Sequence, residues 1–286
     1  MIERIAILGT GLLGTSAGLA LRKAGFRGTI SGWNRSPEQA ELAREMGALD
    51  SVAGDALAMA KESQVVLLAT PVFAILDWME QLAAVLGPEH LVTDVGSTKL
   101  QITAAADRLF NRPERAAFLP GHPMAGKERG GAALGDADLF RGAVWLFTND
   151  PGWKRSPLAE ELVRDWRGWV AQMGAKIIDL PSARHDELVA WVSHLPQLVA
   201  TSLSALLEDE VGEAPELKDV GGRGLREMTR LGASPFSMWR DIAHTNTEAI
   251  AAALLAFEQR LAHLRENLRT PELRAEFDKA NRFRRE

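Results

Sequence analysis

Residues 5–14 read IAILGTGLLG, and this stretch indicates how the first half of the chain folds. Its four leading apolar residues are typical of a strand that is buried on both faces. Glycines then follow at the GxGxxG spacing, which allows a tight turn and lets a pyrophosphate approach the backbone and the free N–H groups of the next helix. The stretch therefore predicts a dinucleotide-binding strand–turn–helix unit. The cofactor contacts predicted on this turn are Gly9, Thr10, Gly11, Leu12, Leu13 and Gly14.

Short apolar runs alternate with amphipathic stretches over the first 180 residues, as in a parallel sheet covered by helices. Further runs lie at 29–33, 64–69, 91–95, 143–147 and 176–180. After Pro181 the strand pattern stops, and apolar residues step by three and four at 188–206 and at 250–268. We therefore predict an α/β fold, with an N-terminal Rossmann-type dinucleotide-binding domain at 1–180 and an all-helical domain at 181–286.

The apolar stripe of the last predicted helix is long for a domain of this size. It consists of Ile250, Leu254, Phe257, Leu261, Leu264 and Leu268. Such a stripe can pack within its own domain, or part of it can join two subunits. We expect a homodimer built on 181–286, with packing inside the domain as the alternative.

The composition limits the classes of protein to which the chain can belong. Its 286 residues are 46% hydrophobic and 25% charged, the balance of a globular chain. A net charge of −5 leaves no basic face for nucleic acid, and the absence of cysteine excludes disulfides and a thiol nucleophile. No apolar run reaches the roughly 20 residues of a membrane span, and no basic leader precedes Ile2. We expect a cytoplasmic protein that acts on a small molecule.

The end of the second predicted strand carries the residues that select between NAD and NADP. Sites for NAD usually place a carboxylate here for the ribose 2′-hydroxyl, whereas an arginine accommodates the 2′-phosphate of NADP. This chain has Asn34, Arg35 and Ser36. Asn34 does not repel a phosphate, Arg35 can pair with one, and Ser36 can donate a hydrogen bond to it. We therefore expect NADP in preference to NAD, with a solvated surface arginine as the alternative for Arg35.

Three polar segments can supply the chemistry. Residues 94–99, DVGSTK, begin at the carboxyl end of a predicted strand, the edge where such sheets bind ligands. Residues 121–128, GHPMAGKE, form a polar loop with one proline and two glycines. Residues 229–242, TRLGASPFSMWRDI, lie in the helical region. The six histidines show no metal-ligand spacing, so we predict no metal site.

These segments resemble the prephenate/arogenate dehydrogenase (TyrA) family of tyrosine biosynthesis. The matching segments are GTGLLG at 9–14, ATPV at 69–72, DVGSTK at 94–99, GHPMAGKERGG at 121–131, HDELVAWVSHLPQL at 185–198 and TRLGASPFSMWRDI at 229–242. They occur in order over nearly the whole chain. The resemblance implies an oxidative decarboxylation, in which C4 of the cyclohexadiene gives a hydride to the nicotinamide, its hydroxyl loses a proton, and the C1 carboxylate leaves as CO₂.

The resemblance also implies the residues that act on the C4 hydroxyl. His122 matches the family's catalytic histidine, and an imidazole with an ordinary pKa of about 6.5 suits a base at neutral pH. Ser97 matches the family's serine, which either orients the imidazole or shares the substrate hydroxyl. A turn serine that caps a helix is the alternative for Ser97. Thr70 and Pro71, in the ATPV segment, are implied as cofactor contacts.

Substrate contacts are implied by the same resemblance. Arg230 matches the arginine that binds a carboxylate, a task for which a guanidinium is well shaped. Glu128 and Glu227 match acidic positions around that arginine, with exposed surface charge as the alternative. Trp239 matches a wall of the pocket, with a core tryptophan as the alternative.

Three residues of the HDELVAWVSHLPQL segment complete the expected site. His194 is expected to contact substrate or to support a residue that does, with a buried structural histidine as the alternative. Many relatives that use prephenate have a second histidine where this chain has Gln197, so prephenate and arogenate both stay open as substrates. Asp186 is expected at a pocket that the neighbouring subunit helps to complete.

Two other functions compete with this interpretation. A β-hydroxyacid dehydrogenase or imine reductase also joins a Rossmann domain to a helical dimer domain, but its glycine-rich catalytic motif is absent here. A sensor that binds NADP without turnover is the second alternative, and it would have no use for His122, Ser97 and Arg230 together.

Overall fold

The computed structural model describes residues 1–149, 152–214 and 216–285. The strands are β1 (Arg4–Leu8), β2 (Thr29–Trp33), β3 (Ser51–Val52), β4 (Val65–Leu68), β5 (Leu91–Asp94), β6 (Ala117–Leu119), β7 (Gly121–Pro123), β8 (Val144–Phe147) and β9 (Lys176–Asp179). The helices are α1 (Leu12–Lys23), α2 (Pro37–Glu45), α3 (Ala56–Lys61), α4 (Val72–Ala83), α5 (Leu100–Leu109), α6 (Pro157–Gln172), α7 (Ser182–Val189), α8 (Leu195–Val211), α9 (Leu217–Val220), α10 (Gly222–Thr229), α11 (Phe236–Thr245), α12 (Thr247–Glu266) and α13 (Pro271–Arg285). A π-turn at Ala190–His194 joins α7 to α8, and 3₁₀ turns lie at Ala132–Leu134 and Arg230–Ala233.

The first six strands form one parallel sheet in the order β3-β2-β1-β4-β5-β6. Strand order reverses between β1 and β4, and ligands of doubly wound sheets bind outside the carboxyl ends of the strands at such a reversal. The glycine turn after β1 lies at this point. The predicted α/β fold, a Rossmann-type region followed by a helical one, is confirmed.

Both faces of this sheet are buried, as the near-continuous apolar strands predict. Ile5 and Ile7 of β1 pack in one core cluster, and their neighbours Ala6 and Leu8 pack in another on the opposite face. Alternate residues of a strand point to opposite faces, so a strand covered on both sides needs apolar residues throughout.

The last strands of this region leave the parallel sheet. The predicted strands at 143–147 and 176–180 form β8 and β9, which join β7 in a separate three-stranded sheet. Strand β7 is antiparallel to β8, and β9 is parallel to it. The sequence pattern does not reveal this, because β6 and β7 have only three residues each, too few for a periodic signal.

The described residues after 181 form helices and turns, with a small core of their own. Its cluster of buried apolar residues consists of Ala190, Ile242 and Ile250. The predicted stripe at 188–206 is broken, because the π-turn rotates α8 relative to α7. Val192 is 65% exposed, whereas His194 and Gln197 are buried. Within the described parts of the chain, no helix combines the length and apolar character needed to cross a membrane.

Candidate active site

Two glycines of the turn after β1 pack closely against backbone atoms, and the third borders open space. Gly9 has a φ of +98°, and a Cβ there would lie 2.4 Å from the carbonyl oxygen of Ala69. A Cβ at Gly14 would lie 2.0 Å from the carbonyl oxygen of Gly9. In contrast, a Cβ at Gly11 would meet no atom of the described residues within 4 Å. Gly9 and Gly14 are therefore required by packing, and the backbone at Gly11 faces free space.

The groups around this space suit a phosphate-bearing ligand. Gly11 is the N-cap of α1 and supplies no side-chain hydrogen bond, so the N–H groups of the first turn keep their capacity for an anion. The hydroxyl of Thr70 is buried and has no partner among the described residues. Thr70 lies against Gly9, and the exposed Pro71 caps α4. Leu12 is buried, and Leu13 packs partly against the core. These features fit a nicotinamide dinucleotide.

The loop after β2 is already hydrogen-bonded. The Asn34 side chain donates to Thr10 Oγ1 at 3.1 Å and accepts from the Ser36 N–H at 3.0 Å. Ser36 Oγ donates to Glu38 Oε2 at 2.6 Å, and this hydrogen bond lowers the pKa of Glu38. Arg35 is exposed. The sequence pattern assigns Glu38 no part in the choice of cofactor. In the structure its carboxylate occupies the Ser36 hydroxyl, the group expected to bind a 2′-phosphate.

His122, on β7, is the first member of a buried hydrogen-bonded chain. Its Nδ1 lies 2.9 Å from Nε2 of His185, and Nδ1 of His185 lies 2.7 Å from Oδ1 of Asp186. His122 is 63 positions before His185 in sequence, so only the packing of β7 against α7 brings them together. Sequence reasoning assigned no role to His185, and the spacing of the histidines carried no signal for it.

The Asp186 carboxylate links α7 to the start of α5. Its carboxylate accepts from the Lys99 N–H at 2.7 Å and from the Leu100 N–H at 2.9 Å, which caps α5 from the helical region. It is buried within its own chain, and both of its oxygens are occupied. Its expected place at a pocket that the neighbouring subunit helps to complete stays a prediction. Asp186 holds the N-terminus of α5 and the ring of His185.

Asp94 and Lys99 form a fully buried ion pair beside this chain. Asp94 also accepts from the N–H groups of Gly96 at 2.7 Å and Gly121 at 3.0 Å, so it ties the 94–99 loop to the start of β7. Buried charges persist when they are paired and hydrogen-bonded, as these are. Ser97 lies in this loop, half-buried, and its hydroxyl has no hydrogen-bond partner among the described residues. Nδ1 of His122 is hydrogen-bonded to His185, and both roles expected for Ser97, orienting the imidazole or sharing the substrate hydroxyl, stay predictions.

The buried histidines are held neutral. Burial lowers the pKa of His122 well below 6.5, and His185, Lys99 and His194 lower it further by charge repulsion. Burial also lowers the pKa of His185, and it lowers that of His194 to about 4. An imidazole that is neutral at neutral pH can accept a proton.

His194 and Trp239 offer two unsatisfied donors. The Asn246 amide donates to the Asp186 carbonyl oxygen at 2.8 Å and lies 3.3 Å from Nδ1 of His194. An amide NH₂ can only donate, so Nδ1 of His194 accepts and the proton resides on Nε2. Nε2 of His194 and Nε1 of Trp239 are both buried without a partner among the described residues, and their rings meet edge to face at 5.9 Å. Two such donors suit an oxygen acceptor of a ligand.

Arg230 forms an ion pair with Glu128 across the two regions. Arg230 is 60% exposed and Glu128 34%, so both remain accessible to a ligand. Glu227 does not join them. It pairs with Arg223 at 2.6 Å on the exposed face of α10, which corrects its expected place around Arg230.

Gln197 is 4% exposed and supports a turn where sequence reasoning predicts a substrate contact. Its Nε2 donates to the Leu231 carbonyl oxygen at 2.7 Å and to Thr201 Oγ1 at 3.1 Å. Its Oε1 accepts from Ser234 Oγ at 3.1 Å. The Gln197 amide thus holds the 3₁₀ turn that begins at Arg230, and its expected contact with substrate stays a prediction.

Comparison with known proteins identifies relatives of both regions. The family described as "Prephenate dehydrogenase, nucleotide-binding domain" matches residues 17–178, and "Prephenate dehydrogenase, dimerization domain" matches residues 181–280. The chain is 35% identical over 252 residues to a prephenate dehydrogenase of Bacillus subtilis (strain 168). That match covers 87% of this chain and 66% of the relative, so the chain spans slightly under two thirds of the relative's length.

Solved structures match along the whole chain. A prephenate dehydrogenase from A. aeolicus, in complex with hydroxyphenyl propionate and NAD⁺, superposes with a TM-score of 0.86 at 27% identity, covering 100% of this chain and 98% of that one. The arogenate dehydrogenase of Synechocystis superposes with a TM-score of 0.76 at 28% identity, covering 98% of each chain.

Proposed function

The chain belongs to the prephenate dehydrogenase family, and from that premise we propose that it oxidises and decarboxylates prephenate or arogenate with a nicotinamide dinucleotide. The observation that carries the proposal is the buried His122 on β7, which the hydrogen bond from the Gly121 N–H to Asp94 holds beside the carboxyl end of β5. The products are 4-hydroxyphenylpyruvate from prephenate and tyrosine from arogenate. The bound nicotinamide supplies the hydride acceptor.

His122 is the proposed acceptor for the proton of the substrate's C4 hydroxyl. As the hydride leaves C4, the positive charge that develops there is relieved by drawing the hydroxyl proton toward the imidazole. His122 returns this proton to the same oxygen when the C1 carboxylate departs as CO₂ and the ring becomes a phenol. Ser97 is proposed to share this hydroxyl. Its free, half-buried side chain lies on the loop that the Asp94 carboxylate ties to β7.

The carboxylates of the substrate are proposed to be bound from the helical region. Arg230 supplies a guanidinium that exchanges Glu128 for the substrate. His194 and Trp239 supply N–H donors that have no other partner among the described residues. Burying such donors without an acceptor is costly, and a substrate oxygen would satisfy them.

We propose NADP as the preferred cofactor, with NAD as the alternative. The support is the neutral Asn34 and the exposed Arg35, and the Ser36–Glu38 hydrogen bond opposes it. Asn34→Asp should shift the preference toward NAD, because a carboxylate binds the ribose 2′-hydroxyl and repels a phosphate. Glu38→Gln, in contrast, should strengthen the preference of the wild type for NADP, because it removes the carboxylate that competes for Ser36. The ratio of kcat/KM for the two cofactors measures both effects, and a wild type that prefers NAD tenfold would contradict the proposal.

The assembly and location are also proposals. We propose a homodimer built on the helical region, with the division between the two domains at residues 180 and 181. The support for the dimer is the description of the matching family as a dimerization domain and the small core of the helical region. The cytoplasmic location stays a prediction, which fractionation of cells would check.

The experiment that tests the function follows the nicotinamide absorbance with prephenate, arogenate and a set of β-hydroxyacids, each with NAD and NADP. We expect reduction of the cofactor with prephenate or arogenate, together with release of CO₂. Turnover of β-hydroxyacids alone would favour the competing dehydrogenase. Cofactor binding without turnover of any substrate would favour a sensor.

A further inference from the structure

The His122–His185–Asp186 chain contains enough fixed hydrogen-bond donors to determine where its protons lie. A backbone N–H can only donate, and the N–H groups of Lys99 and Leu100 both point at the Asp186 carboxylate, at 2.7 and 2.9 Å. Both oxygens of Asp186 are therefore acceptors.

The proton on His185 follows from this. Its Nδ1 lies 2.7 Å from Oδ1 of Asp186, and a hydrogen bond to a carboxylate acceptor requires a donor. Nδ1 of His185 must then carry the proton. Since burial keeps the ring neutral, its Nε2 has no proton and accepts.

The position of the proton on His122 follows from the state of His185. Its Nδ1 lies 2.9 Å from Nε2 of His185, so Nδ1 of His122 must donate. We infer that Asp186, acting through His185, fixes His122 in the tautomer that carries its proton on Nδ1 and leaves Nε2 free to accept a proton. This inference rests on the proposed function only in calling Nε2 the atom that meets the substrate. His185 and Asp186 are positioning residues, since neither touches the reacting atoms.

The chain also provides for the charge that His122 acquires. When Nε2 accepts a proton, the ring becomes an imidazolium whose Nδ1–H still donates to His185. His185 in turn donates to the Asp186 carboxylate, which partly compensates the new charge through the hydrogen-bonded ring of His185. The other charged or titratable groups around the ring are Lys99, which is paired with Asp94, and His194. Together with His185, these two groups lower the pKa of His122 and so disfavour the imidazolium.

The tautomer can be read directly by NMR on the full-length enzyme labelled with ¹⁵N-histidine, in the absence of substrate and cofactor. The signals of His122 are assigned by their loss in His122→Asn. We expect a protonated Nδ1 and an unprotonated Nε2 in the wild type. In Asp186→Leu, Nδ1 of His185 loses its acceptor and neither ring is fixed, so His122 should show a mixture of the two tautomers. A wild-type His122 with its proton on Nε2 would overturn the inference.

Kinetics supply the second measurement, with two substitutions of the same buried ring. His185→Gln keeps an acceptor for His122 and a donor for Asp186, whereas His185→Leu keeps neither. We expect His185→Leu to lower kcat about 100-fold with little change in KM, because the proton of His122 is no longer confined to Nδ1. We expect His185→Gln to restore most of kcat and the wild-type pH profile. Equal kcat values and pH profiles in both variants, each folded by circular dichroism, would overturn the role of His185.

The two proposals fail in different ways. A wild type without activity on prephenate or arogenate would contradict the proposed function and leave the tautomer measurable. An active enzyme with the opposite tautomer would contradict only the inference. If His185→Leu does not fold, the wild-type NMR spectrum still decides.

Discussion

Burial and neighbouring charge determine what His122 can do. The ring is buried between β7 and α7, and Lys99 lies close enough to disfavour its charged form. An exposed histidine would be half-protonated near pH 6.5, whereas this one has a lowered pKa and stays neutral. The same burial that removes solvent from the ring therefore keeps it unprotonated, which is the form that can accept a proton.

The direction of this pKa shift predicts the pH dependence. Because the pKa of His122 is lowered, kcat should stay level through neutral pH and fall only below the ordinary value of 6.5. His122→Asn should lose this acid limb and lower kcat by about two to four orders of magnitude. Stopped-flow reduction of the cofactor across a pH series measures both. A folded His122→Asn enzyme that binds NADP and keeps near-normal kcat would show that another residue accepts the proton. His194 would then be the next residue to test.

The ion pair between Arg230 and Glu128 predicts opposite effects for its two members. Arg230→Ala should raise KM about tenfold or more and change kcat little, because a carboxylate bound equally in ground and transition states contributes uniform binding. Glu128→Gln is the matched control and should lower KM or leave it unchanged, since it frees the guanidinium. Initial-rate measurements separate the two constants. An unchanged KM in Arg230→Ala would assign the residue a structural role.

Helix ends carry much of this site. The turn before α1 leaves N–H groups free for the cofactor, and the N–H groups at the start of α5 are capped by Asp186 of α7. The π-turn between α7 and α8 orients His194, and π-turns of this kind are frequent at functional sites. A helix end that is capped from another region also fixes the position of that region.

The glycine turn predicts a contrast between two alanine substitutions of similar chemistry. Gly11→Ala meets no protein atom within 4 Å, so Tm should fall by no more than a few degrees while the cofactor Kd rises. Gly14→Ala places a Cβ 2.0 Å from the Gly9 carbonyl oxygen, so the turn must shift and Tm should fall clearly. Differential scanning fluorimetry and cofactor titration measure the pair. A Gly11→Ala enzyme with unchanged cofactor affinity would argue against this binding site.

The two regions of the molecule differ in how much apolar surface they bury. The sheet region has two large cores, whereas the helical region has a small one and leaves many large apolar side chains exposed. In the predicted stripe at 250–268, Ile250 is buried while Leu254, Leu261 and Leu268 are exposed. Exposed apolar surface of this extent is typical of an interface. The alternative of packing within the domain therefore explains only part of the stripe.

This packing predicts the effect of a charge on the stripe. Leu261→Glu should convert a dimer to a monomer, because a carboxylate would have to be buried in the interface. Leu158→Glu on α6 is the matched control, since the two leucines are exposed to a similar degree, 50% and 48%. Light scattering coupled to size-exclusion chromatography measures the mass of each variant. A fully active monomeric wild type would remove the proposed dimer.

What the sequence determined is the part that short-range patterns encode. A continuous apolar run, three glycines and a helix predict the dinucleotide turn, and steps of three and four residues predict the helical second half. The motif residues His122, Arg230 and His194 are likewise visible in the sequence, because they lie in the segments that resemble the family. These features depend only on residues within about one helix of each other.

The tertiary structure alone decided which of these residues meet. His185 comes against His122, and Asp186 caps α5, across separations of 63 and 87 positions. Gln197 is turned toward the segment of Arg230, and β7 pairs antiparallel with β8. No local period records such contacts, because they result from how whole elements pack and from which buried polar groups then require partners.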